Sequence, residues 1–158
     1  DIVNSAIYAD KVLKNQKMDD KIKSDAQIII ARSAIKTNND AKAKEAYAKL
    51  QKIAKGELAA EALYYDAYFK NKEAKFEASN KAVEKYSSTY SGYKYFGAKS
   101  LVVMAKNYYG LKVSFQATEI LQSIIDNFTE FPDVVTECQT ELDKIKAEEA
   151  KTNSSVTK

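Results

Sequence analysis

The sequence predicts an all-α fold, a solenoid of antiparallel helix pairs. Three observations carry that expectation. The 158 residues include four glycines and one proline, Pro132, too few for the many tight turns of a sandwich or barrel. Apolar and small residues recur at steps of three and four: Val135, Cys138, Leu142 and Ile145 make one stripe, Ile22, Ile29 and Ser33 another, Leu101, Ala105 and Tyr108 a third. The helical stretches also repeat along the chain. Hydrophobic residues at 45% and charged residues at 30% suit one folded domain of this length.

Breaks in the pattern mark the elements. Asn38-Asn39-Asp40 offers a turn with an N-cap. Lys55-Gly56 is a helix stop, and Ser87–Gly92 is the longest polar break. Phe131-Pro132-Asp133 ends one helix and starts another, and Ser24 with Gln27 has capping-box spacing. Helices are expected over about 2–15, 20–37, 40–55, 57–71, 73–90, 93–110, 112–128 and 133–148. Residues 147–158 lack apolar periodicity and read as a frayed tail behind a single domain, 1–146.

Sliding the sequence on itself pairs the helices. At an offset of 34, Ala26, Ile29 and Ser33 fall on Ala60, Leu63 and Ala67; 38 further on lie Ala98, Leu101 and Ala105. In the helices that follow, Ala43, Ala46, Leu50 and Ile53 match Phe76, Ser79, Val83 and Tyr86 at 33, and these match Ser114, Ala117, Leu121 and Ile124 at 38. Each unit is a helix pair with small residues at the crossing. The units are 20–55, 57–90 and 93–128, with a capping helix at 133–148. Residues 2–15 match a second helix, since Ala6, Ala9 and Leu13 fall on Ala43, Ala46 and Leu50 at 37. With Asp1 as first residue, this leads to the expectation of a half-repeat cut from a longer array.

These residues resemble the tetratricopeptide repeat, a helix–turn–helix unit of about 34 residues. The likeness rests on Ala60–Ala67, Phe76 with Ser79, and Ala98–Tyr108 followed by Ala117 and Leu121–Phe128, and it spans about 5–146. The third unit is similar to the C-terminal repeats of large tetratricopeptide proteins of Bacteroidetes-type bacteria. The sequence departs from the family at Arg32 and Asp66, which stand at usually apolar positions. Lys36 and Lys70 replace the aromatic kept as Tyr108, and Ser114 replaces the one kept as Phe76. The resemblance implies a right-handed solenoid and a protein–protein interaction module. A peptide or partner helix would lie on the concave face lined by Glu61, Tyr64, Tyr68, Asn71, Lys99, Val102, Lys106 and Tyr109. Tyr64, Tyr68 and Tyr109 would be the anchors, with Lys106 and Asn71 as polar contacts. The alternative is a structural C-terminal cap of a longer array that binds nothing itself. A location in the cell envelope or periplasm also follows from the resemblance, and the cytoplasm stays open because one thiol suits either compartment.

The inventory narrows the chemistry. There is no histidine and one cysteine, Cys138, so Ser-His-Asp triads, Cys-His pairs and the usual zinc sites are excluded. No Gly-x-Gly-x-x-Gly, Walker loop or Cys-x-x-Cys occurs. The expectation is therefore no enzyme, no cofactor and no metal, with Cys138 a buried structural thiol. Of 25 basic residues only Arg32 is arginine, and 22 acidic residues are interspersed, which argues against a nucleic-acid partner. No apolar run reaches the ~20 residues of a membrane span, so no direct membrane insertion is expected. Nine of the eleven tyrosines would then serve packing or recognition between Tyr64 and Tyr109.

Overall fold

The computed structural model describes residues 1–15 and 17–156, and its elements are all helices. They are α1 (Ile2–Leu13), α2 (Asp20–Lys36), α3 (Asp40–Ile53), α4 (Gly56–Lys72), α5 (Phe76–Thr89), α6 (Lys94–Gly110), α7 (Ser114–Asn127) and α8 (Pro132–Val156). Each helix packs on its chain neighbours, and α4 also packs on α6 and α6 on α8. The chain is thus a stack of helix pairs, α2/α3, α4/α5 and α6/α7, with α1 before it and α8 after it.

Local chemistry sets the helix starts. The side chains of Asp1, Asp19 and Asn39 accept hydrogen bonds from the amides of Val3, Ile22 and Lys42, filling donors that a first turn leaves open. Pro132 sits in the first turn of α8, where its missing N–H costs nothing. Ser24–Gln27 is not a cap: it lies inside α2, and Ser24 Oγ donates to the Asp20 carbonyl at 2.7 Å. The helix α5 runs through Ser87 and Ser88, so the break there is shorter than expected, Tyr90 to Tyr93.

The turns inside the three pairs are alike. Asn38, Ala74 and Lys112 adopt left-handed φ values of 53°, 56° and 65°. Behind them the amides of Asn39, Lys75 and Val113 reach back to the carbonyls of Ala34, Lys70 and Tyr108 at 2.8–2.9 Å. This is the Schellman closure of a helix end, and it reverses the chain in three residues.

These turns correct the repeat spacing. α2 and α4 begin 36 residues apart, as do α3 and α5, while α4 to α6, α5 to α7 and α6 to α8 are each 38 apart. The 34 and 33 read for the first unit are replaced by 36. An alanine-rich helix matches itself at several shifts, and burial decides among them: Ala31, Ala67 and Ala105 are each fully buried, whereas Ser33 is not the counterpart of Ala67. On the second helices the matching buried sets are Ala43, Tyr47, Leu50; Ser79, Val83, Tyr86; and Ala117, Leu121, Ile124. α1 starts 38 before α3, so it is a second-helix type.

The last helix runs past the expected end near 148 to Val156. Ala147–Lys151 are strong helix formers, which carry the backbone on after the buried face stops. Thr157 and Lys158 of the expected tail lie outside the described residues. The buried stripe of α8 is Val134, Cys138, Leu142 and Ile145, with Val134 in place of Val135. Among the described residues no helix is long and apolar enough to cross a membrane.

Candidate functional site: the face of the first helices

With 36 and 38 as the spacings, positions on α2, α4, α6 and α8 can be equated. Glu61 corresponds to Asp25, Lys99 and Glu137; Tyr68 corresponds to Arg32, Lys106 and Lys144. These two rows meet across neighbouring helices. Arg32 on α2 donates Nε to Oε1 of Glu61 on α4 at 3.0 Å and an Nη to Oε2 at 2.5 Å. Lys106 on α6 donates to Glu137 on α8 at 2.7 Å and lies 3.7 Å from Glu141, with Lys99 at 3.6 Å from Glu137. At the α2/α4 and α6/α8 contacts a base on one first helix thus meets an acid on the next, whereas at α4/α6 the two positions hold Tyr68 and Lys99.

The eight residues named from the sequence divide into two groups. Glu61, Tyr64 and Val102 are buried, at 2%, 5% and 1% exposure, and are corrected from contact residues to supports. Glu61 is inside because two groups satisfy it: besides Arg32, the Tyr47 hydroxyl donates to it at 2.8 Å. Tyr64 is covered by Tyr65, Tyr68 and Phe96, with ring centroids 4.8, 6.2 and 5.3 Å away, and Lys99 lies over its ring at 5.8 Å. Val102 belongs to the core shared by α6, α7 and α8. Tyr68, Asn71, Lys99, Lys106 and Tyr109 are half-buried and reach the surface.

Three of those five come together. Asn71, Lys106 and Tyr109 line a cleft of about 250 Å³ with Gly110, Leu121, Glu141, Lys144 and Ile145. Leu121 and Ile145 are buried residues at its floor. The rim carries an amide, a phenol, two ammonium groups and a carboxylate. Asn71 is oriented by its own bond, Nδ2 donating to Oδ1 of Asn107 at 2.8 Å. The Tyr109 hydroxyl donates to Glu148 on α8. Tyr68 and Lys99 do not line this cleft.

Charges here are tuned by pairing. Burial works against the ammonium of Lys106, but the hydrogen bond and field of Glu137 outweigh it and hold its pKa above the ordinary lysine value. Burial likewise opposes the charge of Glu137, and Lys106 wins by the same bond, so its pKa lies below the ordinary value. Burial is the main cause that pushes Tyr64 well up and Cys138 to about 11; Cys138 is fully covered in the core. Such an arrangement holds fixed hydrogen-bonding and charged groups around an apolar floor, which suits recognition of a side chain flanked by polar backbone.

The residues missed from sequence are Arg32 and the acids of α8. A signal was present: Glu137, Glu141 and Glu148 are spaced four and seven on one helix face, matching the seven between Lys99 and Lys106. No protein-family model matches the sequence, and a search of curated proteins finds no matching relative.

Proposed function

We propose that the chain is a protein–protein interaction scaffold of the tetratricopeptide type, a right-handed solenoid that binds a peptide or partner helix on the concave side of its first helices. The single observation in favour is the cleft of about 250 Å³ with Asn71, Lys106 and Tyr109 on its rim and an apolar floor. The contact set is Tyr68, Asn71, Lys99, Lys106 and Tyr109, with Glu61, Tyr64 and Val102 behind them. Tyrosine supplies contact area at low entropy cost, and an oriented asparagine pairs with peptide backbone. No cofactor enters this reading. The cell envelope remains the proposed location on the resemblance alone.

The test is selection from a displayed random-peptide library on the native domain, followed by titration of enriched peptides on a Tyr68→Ala/Tyr109→Ala variant with unchanged helical circular dichroism. Loss of at least about tenfold in affinity, about 1.4 kcal/mol, is expected from two anchors. Peptides that bind both proteins equally place the site elsewhere and overturn the reading.

One observation favours a second reading, the structural end cap. The acids Glu137, Glu141 and Glu148 of α8 occupy Lys99, Lys106 and Tyr109. If the face serves only to zip α6 to α8, the library yields no binder, and Glu137→Ala lowers the melting temperature.

A further inference from the structure

Asn71 meets the cleft with only part of its amide free. Its Nδ2 is turned inward and donates to Asn107 Oδ1 at 2.8 Å. Its Oδ1 has no hydrogen-bond partner among the described residues and reaches solvent. Turned the other way, the amide would hold its oxygen inside and offer donors at the rim. Which end stands there decides what a ligand must bring.

That choice is made by a residue that does not line the cleft. A backbone carbonyl only accepts, so the Ser79 hydroxyl, 2.7 Å from the Ala67 oxygen, uses its one proton there. Ser79 Oγ can then only accept from Asn107 at 2.8 Å, and the atom that donates must be Nδ2. The other proton of that nitrogen goes to Asn80 Oδ1, also at 2.8 Å. Asn107 Oδ1 is left facing Asn71, which answers with its own Nδ2. The bonds leave α4 at Ala67, cross α5 and α6, and return to α4 one turn on. Ser79 and Asn107 are both at 0% exposure, so water does not take the place of either. Reversing the Asn71 amide would set two oxygens or two N–H groups against each other at one step.

Repeat packing alone does not call for these groups. Ser79 stands at the repeat position of Ala43 and Ala117, Asn107 at that of Phe69 and Ile145, and Asn71 at that of Ile35 and Tyr109. The three polar exceptions fall where they bond one another, and the last of them lines the cleft. We propose that Ser79 is a positioning residue for the cleft: through Asn107 it holds the oxygen of Asn71 toward the ligand, which is read at that point by a main-chain N–H donor. The interior N–H groups of a helix are already bonded within it. The occupant is therefore an extended peptide and not a partner helix, with an apolar side chain on the floor of Leu121 and Ile145. This deepens, and rests on, the reading of the cleft as a peptide site.

The first arm of the test needs no ligand. In the isotope-labelled full chain, NMR should show a coupling across the hydrogen bond from Asn71 Nδ2 to the side-chain carbonyl carbon of Asn107. A coupling in the reverse sense, from Asn107 Nδ2 to Asn71, overturns the proposal. In Ser79→Ala with unchanged helical circular dichroism, Asn80 and Asn107 are free to turn their amides together, and the coupling should fall. An unchanged coupling there overturns the role of Ser79. The native-chain coupling and the second arm hold whatever the stability of that variant.

The second arm takes the tightest peptide from the displayed library and replaces each main-chain N–H in turn by an ester oxygen. One ester should weaken binding to the native chain about tenfold, and the same ester should have no further effect on Asn71→Ala. Esters that all bind as the parent peptide does overturn the main-chain donor and leave the cleft a peptide site. A peptide whose circular dichroism shows it helical in the complex overturns the extended occupant. A library without a binder overturns the peptide reading and the ligand assignment with it; the coupling in the free chain tells that failure from a failure of Ser79 to fix the amide.

Discussion

The two internal junctions of the stack fill the same repeat position by opposite means. Where the first pair meets the second, the position is Phe69, whose ring packs 6.1 Å from Tyr65 and 5.2 Å from Tyr68. Tyr65 in turn stacks on Tyr47 at 4.0 Å. Where the second pair meets the third, the position is Asn107, fully buried. Its Nδ2 donates to Ser79 Oγ and Asn80 Oδ1, both at 2.8 Å, and its Oδ1 accepts from Asn71. Ser79 Oγ in turn donates to the Ala67 carbonyl at 2.7 Å. A ring holds a junction through area and shape and tolerates small shifts. An amide holds it only while every donor and acceptor is met, so it fixes one register of α6 on α4 and α5.

The comparison breaks first at the aromatic junction. Phe69→Ala removes a buried ring and leaves a cavity that Tyr65 and Tyr68 cannot fill from fixed helices. The expected loss is about 3–5 kcal/mol, read from the urea midpoint with the slope unchanged. A loss below about 1 kcal/mol would mean that the two tyrosines already carry the junction.

Asn107→Ala comes next, at about 2–3 kcal/mol, because it strands Asn80 and removes the partner of Asn71 inside the structure. A double-mutant cycle with Asn71→Ala sharpens this. Coupling of about 0.5–3 kcal/mol is expected for groups in one network; additivity would show that water takes the place of the amide. Asn107→Leu decides between filling and bonding. A chain restored to native stability by leucine would make the second junction no different in kind from the first.

The same contrast explains what could be read from the sequence. Eight helices and their pairing were legible, because alanine and leucine stripes recur on the buried faces whichever junction they border. The repeat length of the first unit was not. Ala26, Ala31 and Ala34 give an alanine-rich helix several matches, and Ala31 is singled out only by what covers it. The turns at Ala74 and Lys112 were also hidden, since a left-handed residue is normally announced by glycine or asparagine. Only Asn38 gave that signal, and the helices after the other two turns, expected from 73 and 112, begin at Phe76 and Ser114. At the candidate site, the resemblance put Asn71, Lys106 and Tyr109 on one face, and in the structure the three line one cleft. The resemblance could not tell that Glu61, Tyr64 and Val102 lie beneath that face, because solvation of a helical position depends on the neighbouring helix. In the first junction that neighbour supplies Arg32, and in the third the acids of α8, both distant in sequence.

The smallest effect concerns a residue that belongs to neither solution. Ser100 is buried on α6, two turns before Asn107, and among the described residues its Oγ has no hydrogen-bond partner. The same repeat position holds Ala26, Ala62 and Cys138, all compatible with an apolar setting. A buried hydroxyl without a partner has lost its water and gained nothing in exchange. Ser100→Ala removes that cost, gives the position the side chain found at Ala62, and opens a void of one oxygen at most. The variant should be stabilised by about 1 kcal/mol, raising the urea midpoint. Destabilisation by a similar amount would show that the hydroxyl is bonded in solution and belongs to the Asn107 network. The polar junction would then extend a further two turns along α6.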